Sequence, residues 1–194
     1  AADWIAIAPS DLLIMTLAPD PRGGAGRTGE RRVVIQLMPA PFSQGWVSNI
    51  RALAHAHWYD GVSINRVQDN YVVQWGDADG EDPAKAKPLP EGLAKPDEAA
   101  YSVPLAAAGR SFSPLGSSEG STVEGLLVQM GGEARRPRQA SRDAYAPVTG
   151  FDDGWPIAGG SGALWPVHCY GMIGVGRGLS PDTGSGAELY TVIG

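Results

Sequence analysis

Apolar positions along the chain gather in short runs rich in β-branched residues, broken by glycine and proline, and in one segment they recur with a helical period. Asp11-Leu-Leu-Ile-Met-Thr-Leu17 and Arg32-Val-Val-Ile-Gln-Leu-Met38 read as two strands, and the Gly, Pro and Arg cluster from Ala18 to Arg31 between them predicts an antiparallel hairpin. Trp46, Val47, Ile50, Leu53 and Ala54 fall at three- and four-residue spacings inside Ser43 to His57, which predicts one amphipathic helix with Ser43 as its N-cap. Tyr59-Asp60-Gly61 makes a turn. Val62 to Val67 and Tyr71 to Trp75 then form two strands joined through Gln68-Asp69-Asn70.

From Ala78 to about Val167 the texture changes to frequent groups of glycine, proline and serine, such as Gly116-Ser-Ser-Glu-Gly-Ser121 and Gly159-Gly-Ser-Gly162. Within this stretch only Val123-Glu-Gly-Leu-Leu-Val-Gln-Met130 has a clear strand pattern, and Arg135, Arg136, Arg138 and Arg142 read as a solvated basic loop. Val167 to Val175 and Glu188 to Ile193 complete the pattern as two strands around a glycine-rich turn. No internal repeat is evident. The pattern describes one domain over residues 1–194, with 78–167 as a long loop-rich insertion-like region.

Composition narrows the class. A chain of 194 residues with 43% hydrophobic and 19% charged residues can bury a core, and its 27 glycines and 16 prolines favour a loop-rich β protein. A net charge of -6, with no basic run interleaved with aromatics, excludes a nucleic-acid surface. No window approaches the roughly 18 apolar residues that a membrane span needs. Cys169 is the single cysteine, so no intrachain disulfide forms, and a buried, inert thiol is expected. The start at Ala1-Ala2-Asp3, without methionine, fits either a trimmed export signal or a sequence that opens inside a longer chain.

The candidate chemistry lies in Tyr59 to Asp77. There Arg66 stands among apolar and aromatic residues with Gln74 eight positions on, and with no nucleophile-base pair nearby. A guanidinium neither titrates nor attacks at ordinary pH; it donates hydrogen bonds and holds charge. Other groups have plainer readings. Tyr71 and Tyr190 are equally well core aromatics with satisfied hydroxyls, and Gln74 a structural hydrogen-bond partner. His55 and His57 sit where a helix end favours positive charge, and His168 reads as packing. The acidic run Asp77 to Asp82 lacks the distal glutamate and spacing of a calcium loop, so a turn explains it and no metal site is assigned.

Read in order, these segments resemble the cyclophilin family of peptidyl-prolyl isomerases. Val33-Val-Ile-Gln-Leu37 with Pro39 and Pro41 is similar to the family's second strand and the proline before its first helix. Asn49-Ile-Arg-Ala-Leu53 resembles Asn-Phe-Arg-Ala-Leu, and Tyr59-Asp-Gly61, Asn65-Arg-Val67 and Tyr71-Val-Val-Gln-Trp-Gly-Asp77 resemble Tyr-Asp-Gly, His-Arg-Val and Phe-Met-x-Gln-Gly-Gly-Asp. Tyr170 to Arg177 and Ser185 to Tyr190 are similar to Pro-Gly-x-Leu-Ser-Met-Ala-Asn and Gly-Ser-Gln-Phe-Phe.

The resemblance implies a mainly β fold, an antiparallel barrel with a capping helix, and cofactor-free rotation of X-Pro bonds in proline-containing polypeptides. It implies Arg66 as the catalytic arginine and Gln74 as the groove glutamine. It also implies Tyr71, Val72 and Tyr190 as the proline pocket, with Gly176 and Arg177 lining the substrate path. Asn65, Glu188, Arg177, Tyr71 and Tyr190 depart from the family's usual residues. A peptide-binding module with little turnover is therefore the alternative. By the same resemblance the barrel is incomplete at Gly194, so a C-terminal fragment or second chain is expected to complete it. The Val-Gln-Asp-Asn-Tyr71 segment resembles bacterial members, which implies a periplasmic or otherwise exported protein, with a cytoplasmic one as the alternative.

Overall fold

The computed structural model describes residues 5–19, 30–107, 113–114 and 146–194. Its contacts divide into two compact units, Ala1–Pro39 and Ala40–Gly194. In the first, β1 (Leu12–Leu17) and β2 (Arg31–Gln36) pair antiparallel with Leu12 opposite Gln36 and Leu17 opposite Arg31, which is the hairpin that the two apolar runs predict.

The second unit holds α1 (Gln44–His55), whose period brings Trp46, Val47, Asn49, Ile50 and Leu53 to its buried face. Ser43 does occupy the N-cap position, but with φ 55° and without a side-chain cap hydrogen bond. In that left-handed conformation its hydroxyl does not take up the first-turn N–H groups that an extended cap would serve. Buried Asn49 is satisfied on both sides. Its Nδ2 donates to the carbonyls of Ala94 and Ser185, both at 2.9 Å, and its Oδ1 accepts from the Ala94 amide at 2.7 Å. One side chain thus ties the helix to the 88–97 loop and to the chain leading into the last strand.

Two antiparallel sheets accompany the helix. The first runs β10 (Ile173–Val175), β11 (Leu189–Val192), β4 (Val72–Gly76), β3 (Ser63–Gln68). Trp75 and Leu189 face each other across β4 and β11 and are almost fully buried. Val167 to Met172, expected to belong to a strand, is instead a turn-rich approach to β10, with Cys169 N–H on the Val167 carbonyl and Met172 N–H on that of Cys169. Cys169 is accordingly exposed, not buried.

The second sheet runs β5 (Val103–Pro104), β9 (Ala163–Pro166), β8 (Trp155–Gly160), β7 (Val148–Asp152), β6 (Ser113–Pro114). It lies in the stretch whose only expected strand was Val123 to Met130, and that segment, like Arg135 to Arg142, is outside the described residues. Glycine conceals the pattern. Gly159 sits opposite Leu164, and a Cβ there would fall 2.5 Å from a Leu164 methyl, so the leucine fills space that a side chain at 159 would need. Leu164 and Ile157 are 0% and 1% exposed, making this sheet part of the core. Among the described residues the ladders run as three antiparallel sheets, and with the single α-helix they make the fold mainly β.

Candidate active site

The face of the first sheet opposite Trp75 and Leu189 carries a row of directly opposed residues. Arg66 on β3 faces Gln74 on β4, Gln74 faces Tyr190 on β11, and Tyr190 faces Gly174 on β10. Opposed residues in an antiparallel ladder share a face, so the four form one line across the sheet. The line depends on a bulge. Ile64 pairs with Trp75 but Arg66 pairs with Gln74, so Asn65 is the extra residue. Without it Asn65 would oppose Gln74 and Arg66 would turn to the other face.

An open groove of about 710 Å³ lies over this row. All the sequence-derived site residues line it: Arg66, Tyr71, Val72, Gln74, Tyr190, and Gly176 with Arg177. Val72 is buried and gives the groove an apolar floor. Tyr71 is 52% exposed, which rules out its reading as a core aromatic; its ring lies 5.4 Å beneath the Arg66 guanidinium as a cation–π partner. Tyr190 is half-buried, and its ring lies across Gly174, where a Cβ would be 2.4 Å from the ring carbon bearing the hydroxyl. Burial pushes the Tyr190 hydroxyl pKa up, an effect that the neighbouring Tyr71 reinforces and Arg177 opposes.

The polar groups are organised by partners that the sequence pattern does not announce. Arg66 donates to the Gln68 carboxamide oxygen, so Gln74 is not what holds the guanidinium fork. Gln74 Nε2 donates instead to Glu188 Oε1. A carboxylate only accepts, so this contact turns the Gln74 amide nitrogen toward Glu188 and leaves its oxygen for another donor. Glu188 fits because Gly176 has no side chain: a Cβ there would meet Glu188 Cγ at 2.9 Å. Arg177 is held over the Tyr101 ring at 5.7 Å, and Tyr101 stacks on Trp46 of the helix at 5.0 Å with the rings 8° from parallel.

His168 also lines the groove and was missed as a site residue. Only its place in the fold, five residues before the glycine-bearing strand β10, brings it there. His55 and His57 lie away from the groove, His57 Nδ1 being 3.2 Å from Asp60 Oδ2. Asp77 accepts backbone N–H bonds from Asp79 and Lys87, and Asp82 pairs with Lys85 at 2.9 Å, so the acidic run serves local turns. Among the described residues no cluster of His, Cys, Asp and Glu has the form of a metal site, and no helix is long and apolar enough to cross a membrane.

The family model for cyclophilin type peptidyl-prolyl cis-trans isomerase/CLD matches residues 27–185. The chain belongs to this family. Among solved structures it is similar to cyclophilin AquaCyp293 from Hirschia baltica, with a TM-score of 0.59 and 18% identity over 96% of this chain, which establishes a cyclophilin fold. The chain spans 58% of the length of that neighbour. No curated protein gives a significant match, and neither comparison supports a second chain completing the fold. Arg66 and Gln74 both lie within the matched residues, and the groove lies on the sheet containing both.

Proposed function

We propose that the chain catalyses cis/trans rotation about X-Pro bonds of proline-containing polypeptides, assisting their folding, with the groove of the first sheet as its active site. The observation that carries this is the transverse row Arg66, Gln74, Tyr190, which sets a permanent hydrogen-bond donor beside an aromatic wall over apolar Val72. Rotation breaks amide resonance and no covalent bond, against a barrier of ~18–20 kcal/mol. No nucleophile or base is required. In the twisted state the proline nitrogen pyramidalises and regains a lone pair, so a fixed donor aimed at it stabilises the transition state more than the planar ground state. Arg66 supplies that donor, Tyr190 and Val72 flank the proline ring, and the Gln74 carboxamide, set by Glu188, meets the substrate backbone. Each ~1.4 kcal/mol of such differential binding is tenfold in rate.

Arg66→Ala is expected to lower kcat/KM for a proline tetrapeptide by more than tenfold (over ~1.4 kcal/mol of transition-state stabilisation) with the fold intact by circular dichroism. Unchanged activity would remove Arg66 from the mechanism. A second reading, a peptide-binding module with weak turnover, draws on the internal hydrogen bonds that engage Arg66 with Gln68 and Gln74 with Glu188. Exchange spectroscopy on a proline peptide separates the two: chemical-shift changes without accelerated cis/trans exchange favour the module, and rapid exchange favours the enzyme. Export to the periplasm belongs to the same proposal, supported by the resemblance of the Val67 to Tyr71 segment to bacterial members; cell fractionation tests it.

A further inference from the structure

His168 is a titratable group at the groove with no part in the chemistry above. Its loop is fixed to the strand that carries Tyr190: Gly171 N–H donates to the Val192 carbonyl at 2.9 Å, and Val192 N–H donates to that of Met172 at 3.0 Å. The imidazole meets the Tyr190 ring edge to face, with centroids 5.5 Å apart and planes at 75°. The Tyr190 hydroxyl lies 3.4 Å from both ring nitrogens, so in either neutral tautomer the unprotonated nitrogen is within its reach.

We propose that His168 is a positioning residue for Tyr190, and that its protonation loosens the proline pocket and weakens substrate capture. This rests on the isomerase reading of the groove. Neutral imidazole accepts from the tyrosine hydroxyl and holds the ring across Gly174. Imidazolium has no acceptor, so the contact persists only with the hydroxyl oxygen accepting, which reverses the hydroxyl and turns its proton away from the ring. The added charge also enters a groove whose other charged and titratable groups are Arg66, Tyr71, Glu81, Arg177 and Glu188. Two of them are guanidiniums and two are carboxylates, so the added proton tips the balance of the groove to positive. Although His168 is exposed as a whole residue, its partial burial lowers its pKa below the ordinary histidine value, in keeping with a neutral working form.

The test is kcat and KM for a proline tetrapeptide between about pH 5 and pH 8, the range in which histidine titrates, for wild type, His168→Asn and His168→Lys. Wild type is expected to lose kcat/KM several-fold toward acid, mainly through KM. His168→Asn is expected to stay flat near the high-pH level and His168→Lys flat near the low-pH level. In parallel, NMR titration of the His168 ring protons in Tyr190→Phe should show a shifted midpoint, because the hydroxyl that contacts the ring is gone. A wild-type pH profile in His168→Asn, or an unmoved midpoint in Tyr190→Phe, would overturn the proposal. Absence of isomerase activity at every pH would overturn the proposed function instead, and the NMR titration would still decide whether His168 and Tyr190 are coupled.

Discussion

The two sheets of the second unit use glycine for the same steric purpose with opposite results. In the β5–β9 sheet the space left at Gly159 is filled by Leu164, which is fully buried. In the β3–β4–β11–β10 sheet the space at Gly174 is filled by the Tyr190 ring, and that at Gly176 by the Glu188 stem, both of which line the groove. One sheet spends its close approaches on core density, the other on seating side chains that line the groove. Substitutions at equivalent-looking glycines should therefore separate stability from activity.

The largest effect should come from Leu164→Ala. Emptying a fully buried leucine site costs about 2–5 kcal/mol, and urea denaturation should show it while kcat/KM of the folded fraction stays close to wild type. Adding Gly159→Ala tests the contact directly. Alone it overpacks the site by about 1–3 kcal/mol, but its methyl enters the space that Leu164→Ala vacates. The double variant should thus be less destabilised than the sum of the two singles. Strict additivity would mean that Gly159 and Leu164 do not compete for the same volume.

Gly174→Ala should do the reverse. The new methyl would sit 2.5 Å from the Tyr190 hydroxyl oxygen, at the far end of a half-buried side chain that swings aside more easily than backbone. The expected outcome is a several-fold loss of kcat/KM with a thermal midpoint within a few degrees of wild type. A large fall in the midpoint with activity retained would erase the contrast between the sheets.

The smallest effect concerns pH. The folded-state pKa of His168 lies below its ordinary value because of partial burial. Below about pH 6.5 the unfolded chain therefore binds a proton that the folded chain resists, and stability falls as acid is added. The contribution is present above that pH and is lost on descending toward the folded-state value. Comparing wild type with His168→Asn by denaturation at both ends of this range should show a slightly weaker pH dependence in the variant, and an identical dependence would assign the acid sensitivity elsewhere.

The sequence by itself carried the first hairpin, α1 and the β3–β4 pair, because each has local periodicity and a nearby turn: Gly61 with φ 78° and Asn70 with φ 53° stand where the turns were expected. It also supplied Arg66, Tyr71, Val72, Gln74, Gly176, Arg177 and Tyr190 of the groove through their likeness to a family motif, but not His168. It did not show the β7–β9 strands, where Gly159 and Gly160 stand in place of the alternating apolar residues that mark a strand, since the volume they leave is occupied from the neighbouring strand. Nor did it show the partners. Gln68 for Arg66 and Tyr101 for Arg177 are chosen by side-chain reach across the folded surface, and Glu188 for Gln74 joins residues 114 positions apart. The sharpest case is Asn65. Period-two alternation assigns faces only while the register is regular, and the bulge that places Arg66 rather than Asn65 opposite Gln74 exists only in the paired strands. The sequence determined which arginine was available; the tertiary ladder decided that it faces the groove.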